Sequence, residues 1–163
     1  MKKNGDIIIR PAQPGEYGWI IQVHGQYYAE KHGWYDEFEC IVAKIIVEYL
    51  SSEEPDKQAC FIAEYKGNPV GCIVLMKNND LEGKLRVLFV SENVRGKGIG
   101  CLLVKSLVEQ ARLIGYKRLS LWTSDNQKVA RVLYEKVGFS LVSETTNTTF
   151  AKDSNDEYWE MDL

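Results

Sequence analysis

The chain has 163 residues, 45% of them hydrophobic and 26% charged, with a formal net charge of -3. A chain of this length buries about 70% of its unfolded surface, which suits one domain, 1–163, with its own core. The acidic balance argues against a nucleic-acid binder relying on bulk positive charge, and no stretch approaches the roughly 20 apolar residues of a membrane-spanning helix. The first residues, Met1 to Asp6, lack a leader pattern, so a cytoplasmic protein is expected. Cys40, Cys60, Cys72 and Cys101 stand singly in apolar segments without C-x-x-C spacing. Reduced core thiols are expected, and no metal site.

Asp6 to Arg10 reads as a first strand, ended by Pro11 and the turn residues Pro14-Gly15. A helix is expected from Glu16 to Lys31, with Ile20, Val23 and Tyr27 at helical spacing and Gly33 closing it. A second runs from Tyr35 to Leu50, with Phe38, Ile41, Val42, Ile45 and Tyr49 on one face. Ala59 to Tyr65 and Val70 to Met76 read as strands joined by a turn at Lys66-Gly67-Asn68-Pro69. Leu85 to Val90 is the next strand, and Gly98 to Ile114 a helix stopped by Gly115. Lys117 to Thr123 is a strand; Ser124-Asp125-Asn126 caps a helix from Gln127 to Lys136, ended by Gly138. Phe139 to Thr145 and Glu157 to Leu163 are strands flanking a polar loop around Asn147 and Asp153. The order gives a mixed α/β domain, with hairpins early and at least one parallel crossover late.

The stretch Arg95-Gly96-Lys97-Gly98-Ile99-Gly100 lies between a strand and a helix. Alternate glycines let a ligand approach the backbone, and a helix starting here aims unpaired N–H groups and its positive dipole end at that ligand. With Arg95 and Lys97 this makes a pyrophosphate cradle. No phosphate-binding G-x-x-x-x-G-K-[ST] motif is present. The dinucleotide fingerprint G-x-G-x-x-G fails where its third glycine falls on Cys101, and two helices and a hairpin precede the turn. Asp125 keeps a nucleotide-binding reading open.

Arg95-x-x-Gly98-x-Gly100 resembles the acyl-CoA signature [QR]-x-x-G-x-[GA] of the GNAT superfamily of N-acetyltransferases. Leu133-Tyr134-Glu135-Lys136-Val137-Gly138-Phe139 is similar to that superfamily's Y-E-x-x-G-F segment. More narrowly, Gly15 to Trp19, Tyr28-Ala29-Glu30, Leu121-Trp122-Thr123 and the ending Trp159 to Leu163 resemble acetyltransferase domains fused to MarR-type regulators. No DNA-binding half accompanies them here, and a transcriptional role is not carried over. The resemblance implies a GNAT-like single domain: a mostly antiparallel mixed sheet flanked by helices, its parallel strand pair splayed around the CoA site. It implies acetyl-CoA as cosubstrate, no metal, and an amine acceptor of unknown identity. No nucleic acid or membrane partner is expected, and a homodimer stays open. Leu88, Phe89 and Val90 are expected to hold the pantetheine arm, and the amides of Arg95, Gly96, Lys97, Gly98, Ile99, Gly100 and Cys101 the pyrophosphate. Asn126 is expected to touch the arm. Tyr134 is expected to protonate the departing thiolate. Glu30 is the first choice for general base, with Glu37 or a water chain as alternatives, because Arg86, Val87 and Leu88 occupy the strand where many relatives carry a glutamate. Part of the cluster Tyr27, Tyr28, Trp34 and Tyr35 is expected to line an acceptor pocket. His24 and His32 read as surface or packing residues, and Trp122, in a strand, as core. A non-catalytic acyl-CoA-binding module of the same fold is the competing reading.

Overall fold

Val70 to Met76 contains no charged side chain, the pattern of a strand covered on both faces. In the computed structural model, which describes residues 2–34, 36–146 and 155–163, this run lies inside a central strand. The strands are β1 (Lys2–Asn4), β2 (Ile7–Pro11), β3 (Ala59–Tyr65), β4 (Asn68–Lys77), β5 (Glu82–Val90), β6 (Arg118–Ser124), β7 (Ser140–Thr145) and β8 (Asp156–Asp162). They form one sheet in the order β1-β2-β3-β4-β5-β6-β8-β7. Every pairing is antiparallel except that of β5 with β6. Side chains of β4 alternate between two cores. Cys72, Val74 and Met76 join α1 (Glu16–His32) and α2 (Asp36–Leu50) on one face. Ile73 and Leu75 pack with α3 (Ile99–Ile114) on the other, where α4 (Lys128–Val137) also docks through Ala130, Leu133, Tyr134 and Val137.

The expected mixed sheet and its helices are present, with three differences. β1 is an additional edge strand, held by pairing with β2. β5 starts at Glu82 rather than Leu85, because Gly83 lets the chain pass against Leu75 and Tyr116, whose side chains would lie 2.8 and 2.9 Å from a Cβ there. The apolar face of α4 is rotated: Val129 is exposed, and Tyr134 is buried at its centre. Cys40 is exposed, against the expectation of a core thiol, while Cys60 and Cys72 are buried and all four cysteines are free. Tyr35 and the polar loop around Asn147 and Asp153 lie outside the described residues. Among the described residues no helix is long and apolar enough to cross a membrane.

The parallel pair positions the site. Glu82, Gly83 and Lys84 pair with Arg118, Leu119 and Ser120, and the ladder stops there. Three residues further on, Val87 adopts φ 48° and the register of β5 against β4 slips by one residue between Cys72 and Val74. An extra residue bends the strand that carries it and sharpens its twist. Beyond Lys84, β5 follows β4 while β6 stays with β8, and a gap opens between them. Gly71 permits this course: a Cβ on it would meet the Phe89 carbonyl oxygen at 2.8 Å. Gly71→Ala is expected to destabilise the fold by about 1–3 kcal/mol, because backbone rather than a flexible side chain must yield. Urea unfolding measures this, and an unchanged midpoint would contradict the packing described.

Candidate active site

The gap between β5 and β6 continues into a cleft of about 1080 Å³. Small-molecule sites usually span about 300–1,000 Å³, so there is room for two reactants. One wall is the outer edge of β5, Leu85 to Val90, and the floor is the start of α3. Gly96 and Gly98 have φ of 80° and 78°, left-handed geometry that a glycine adopts without strain. Gly98 caps α3, and the first amide bonded inside the helix is that of Leu102, on the Gly98 carbonyl. The amides of Ile99, Gly100 and Cys101 precede that bond and have no acceptor within the helix. A Cβ on Gly100 would sit 3.1 Å from Leu133 Cδ2, so its absence keeps α3 and α4 close at the cleft floor.

Most of the expected residues meet here. Leu88, Phe89, Val90, Arg95, Gly96, Gly98, Ile99, Gly100, Cys101, Asn126 and Tyr134 all line the cleft. Arg95 turns back along it: its Nε donates to the Val90 carbonyl at 3.2 Å, and its guanidinium lies 5.0 Å from the centre of the Tyr27 ring. Lys97 does not line it; its Nζ lies over the Tyr65 ring at 5.5 Å. Glu30 is also elsewhere. It is exposed and borders a smaller hollow with Gln26, Ser91, Glu92 and Asn93, with Tyr27 and Phe89 standing between the two hollows. Glu37 is exposed and outside the cleft.

Tyr134 is 5% exposed, its ring packed on Phe139 at 5.8 Å and Trp159 at 6.4 Å. The left-handed turn at Gly138 folds the chain back, with the Phe139 amide donating to the Tyr134 carbonyl at 2.9 Å. One turn earlier on α4, Arg131 lies 2.8 Å from the buried carboxylate of Glu157, tying the helix to β8. The Tyr134 hydroxyl makes no hydrogen bond among the described residues, and burial, reinforced by neighbouring Tyr28, raises its pKa well above the usual phenol value. It stays protonated across the working pH range.

An aromatic wall closes the α1–α2 side. After α1 the Gly33 cap returns the Trp34 amide to the Tyr28 carbonyl at 3.1 Å, which lays Trp34 parallel to Tyr28 with ring centres 5.0 Å apart. His32 and Phe38 extend the stack. His24 is deeply buried beside Phe89; its Nδ1–H donates to the Ile20 carbonyl at 2.8 Å, which leaves Nε2 an acceptor without a partner among the described residues.

The cleft residues that the sequence does not single out as site residues include Lys84, Arg86, Trp122 and Asp156. Lys84 and Arg86 are half-buried on β5. Trp122, expected in the core, is 41% exposed and faces the cleft beside Tyr158. Asp156 is 4% exposed, has a buried Oδ1 without a hydrogen-bond partner among the described residues, and is the only carboxylate on the described cleft lining. Among the described residues, no three His, Cys, Asp or Glu side chains are grouped to hold a metal.

A family profile described as "Acetyltransferase (GNAT) family" matches residues 18–139. The chain belongs to that family. It is 30% identical over 136 residues to the "Probable N-acetyltransferase camello" of Xenopus tropicalis, an alignment covering 76% of this chain and 61% of that one. The chain thus spans less than two thirds of that relative's length. In fold it is similar to yncA of Salmonella typhimurium, solved with acetyl-CoA, at a TM-score of 0.80 and 14% identity over 98% of this chain and 95% of that one. A GNAT family acetyltransferase of Elizabethkingia anophelis with acetyl-CoA bound matches at 0.71 and 19% identity, over 98% and 100%. The sheet of this family member has one parallel pair, so the doubly wound setting of a dinucleotide fingerprint is missing.

Burial holds the His24 imidazole at about 4, below its usual 6.5. The unfolded chain therefore takes up a proton at this residue between pH 6.5 and 4 while the folded chain does not. Stability is complete above that window, falls through it by about 3 kcal/mol, and loses nothing further from this group below it. Comparing the pH dependence of unfolding for the wild type and His24→Gln tests this, and equal slopes would refute it.

Proposed function

We propose that this GNAT family member transfers the acetyl group of acetyl-CoA to a primary amine by direct attack, with both substrates held in the cleft. The observation that carries the reading is the gap between β5 and β6, which ends on the unpaired amides that start α3. The residues present suit acetyl-CoA. The backbone of Leu88 to Val90 borders the gap, where it suits a pantetheine amide arm, and the glycine turn with the α3 dipole suits a diphosphate. Lys128 and Lys136 on α4 add positive charge to the same cleft. Acetyl-CoA supplies the activated thioester; the protein supplies position and charge.

Positioning is the main contribution, since holding two reactants in one cleft removes most of the entropic barrier to their meeting. Asp156 attracts the incoming ammonium, which sheds one proton to water before the free amine attacks the thioester carbon. An amide of β5 near Phe89 or Val90 donates to the oxyanion. As the carbon–sulfur bond breaks, Tyr134 gives its proton to the sulfur, and the nitrogen of the new amide returns one to the phenolate. A phenol suits this task because it is still protonated at neutral pH. Glu30 does not enter the proposal, because Tyr27 and Phe89 separate it from the cleft. We take 1–163 as one catalytic domain acting in the cytoplasm.

Thiol release from acetyl-CoA across a panel of amines separates this reading from a non-catalytic acyl-CoA-binding module, which would bind CoA and release none. On an accepted amine, Tyr134→Phe is expected to lower kcat about 10²–10⁴-fold, and Asp156→Asn to raise KM for the amine with a smaller effect on kcat. Unchanged turnover in Tyr134→Phe would remove the general-acid role.

A further inference from the structure

Residues two apart on a strand share a face, so Lys84 and Arg86 project from β5 together. Both line the cleft, beside Phe38, Ile41 and Ile45 of α2. Both are half-buried, and neither forms an ion pair or hydrogen bond among the described residues. Of the nearby carboxylates, Glu82 and Glu160 are engaged by other groups. Glu82 accepts hydrogen bonds from Asn78 and Ser120, and Glu160 accepts from the Tyr158 hydroxyl. Glu48 is exposed on α2 and acts on the two cations only through space. Burial lowers the pKa of both residues, and their mutual repulsion adds to this for Lys84. Two like charges placed together out of water, without a partner, are unfavourable unless a ligand supplies the opposite charge.

That ligand charge is not the diphosphate of CoA. Arg86 lies four residues up-strand of Val90, and the glycine turn lies beyond Val90 in the opposite direction. Across the gap, Lys84 pairs in register with Ser120, and the next same-face positions are Arg86 and Trp122. The two cations and the exposed indole of Trp122 therefore stand past the thioester end of the arm, where the acceptor must enter. Asp156 also lines this cleft and can hold an ammonium group.

We propose that Lys84 and Arg86 form an anion subsite for the acceptor, and that the acceptor is a small primary amine carrying a carboxylate. The guanidinium of Arg86 can receive the carboxylate through two parallel N–H bonds, Lys84 adds a point charge, and the amine is left facing Asp156 and the thioester. This rests on the acetyltransferase reading above, but the subsite is measurable without turnover.

Succinate carries the carboxylates without an amine, and succinamide has nearly the same shape without charge. Titrated calorimetrically into the protein–CoA complex, succinate is expected to bind about 10- to 100-fold more tightly than succinamide. Arg86→Gln is expected to erase that ratio, and Arg86→Lys to restore part of it. In the transfer assay, amino acids are expected to exceed their carboxamides by a similar factor in kcat/KM. Equal binding of succinate and succinamide by the wild type would overturn the subsite, whatever the variants do. So would efficient acetylation of neutral amines, or of peptides only, with no gain from a carboxylate. Succinate discrimination without turnover of any amine would uphold the subsite and refute the acetyltransferase reading instead.

Discussion

The parallel ladder between β5 and β6 holds for Glu82 to Lys84 and then ends, and the site depends on that ending. A fully paired parallel strand would satisfy its own backbone and leave nothing for a ligand. The extra residue at Val87 turns β5 away while β4 keeps it in the sheet, so the strand remains rigid on one edge and open on the other. The two flanking cores make the opening sustainable. Leu103, Val104 and Leu107 of α3 brace the sheet from one face, and Ile20, Val42 and Ile46 of α1 and α2 brace it from the other. The gap is thus set by packing on both sides of the sheet, before any ligand arrives.

Charge divides the cleft along its length. At one end the glycine turn, the α3 dipole and Arg95 suit a diphosphate; at the other, Lys84 and Arg86 await a different anion. Between them lie Phe89, Tyr134 and the aromatic wall, apolar surroundings in which a hydroxyl stays protonated and electrostatic interactions strengthen. The proposed chemistry follows from where two substrates are held and from one buried phenol.

Much of this was legible in the sequence, for local reasons. Gly96, Gly98 and Gly100 announce close backbone approach, and Gly33, Gly115 and Gly138 stop helices in the left-handed geometry that glycine favours. The motif singles out Tyr134, but spacing alone does not show how α4 docks: tertiary packing buries Tyr134 and leaves Val129 exposed. Strand ends were harder. The strand expected from Leu85 starts at Glu82, through contacts of Gly83 with Leu75 and Tyr116 and pairing with β6 that no local pattern shows. The placement of Asp156, Lys84, Arg86 and Trp122 is non-local. Each is ordinary in its own segment, and each lines the cleft because of how the strands are arranged around the end of the parallel ladder. Glu30 shows the reverse, since its helix position was suggestive and two aromatic rings keep it out.

Amide hydrogen exchange with and without acetyl-CoA tests the central claim most directly. The account predicts slowed exchange at Val90 on β5 and at Ile99, Gly100 and Cys101 opening α3, with β1, β2 and β3 unchanged. Protection confined to other strands, or none at any acetyl-CoA concentration, would contradict it.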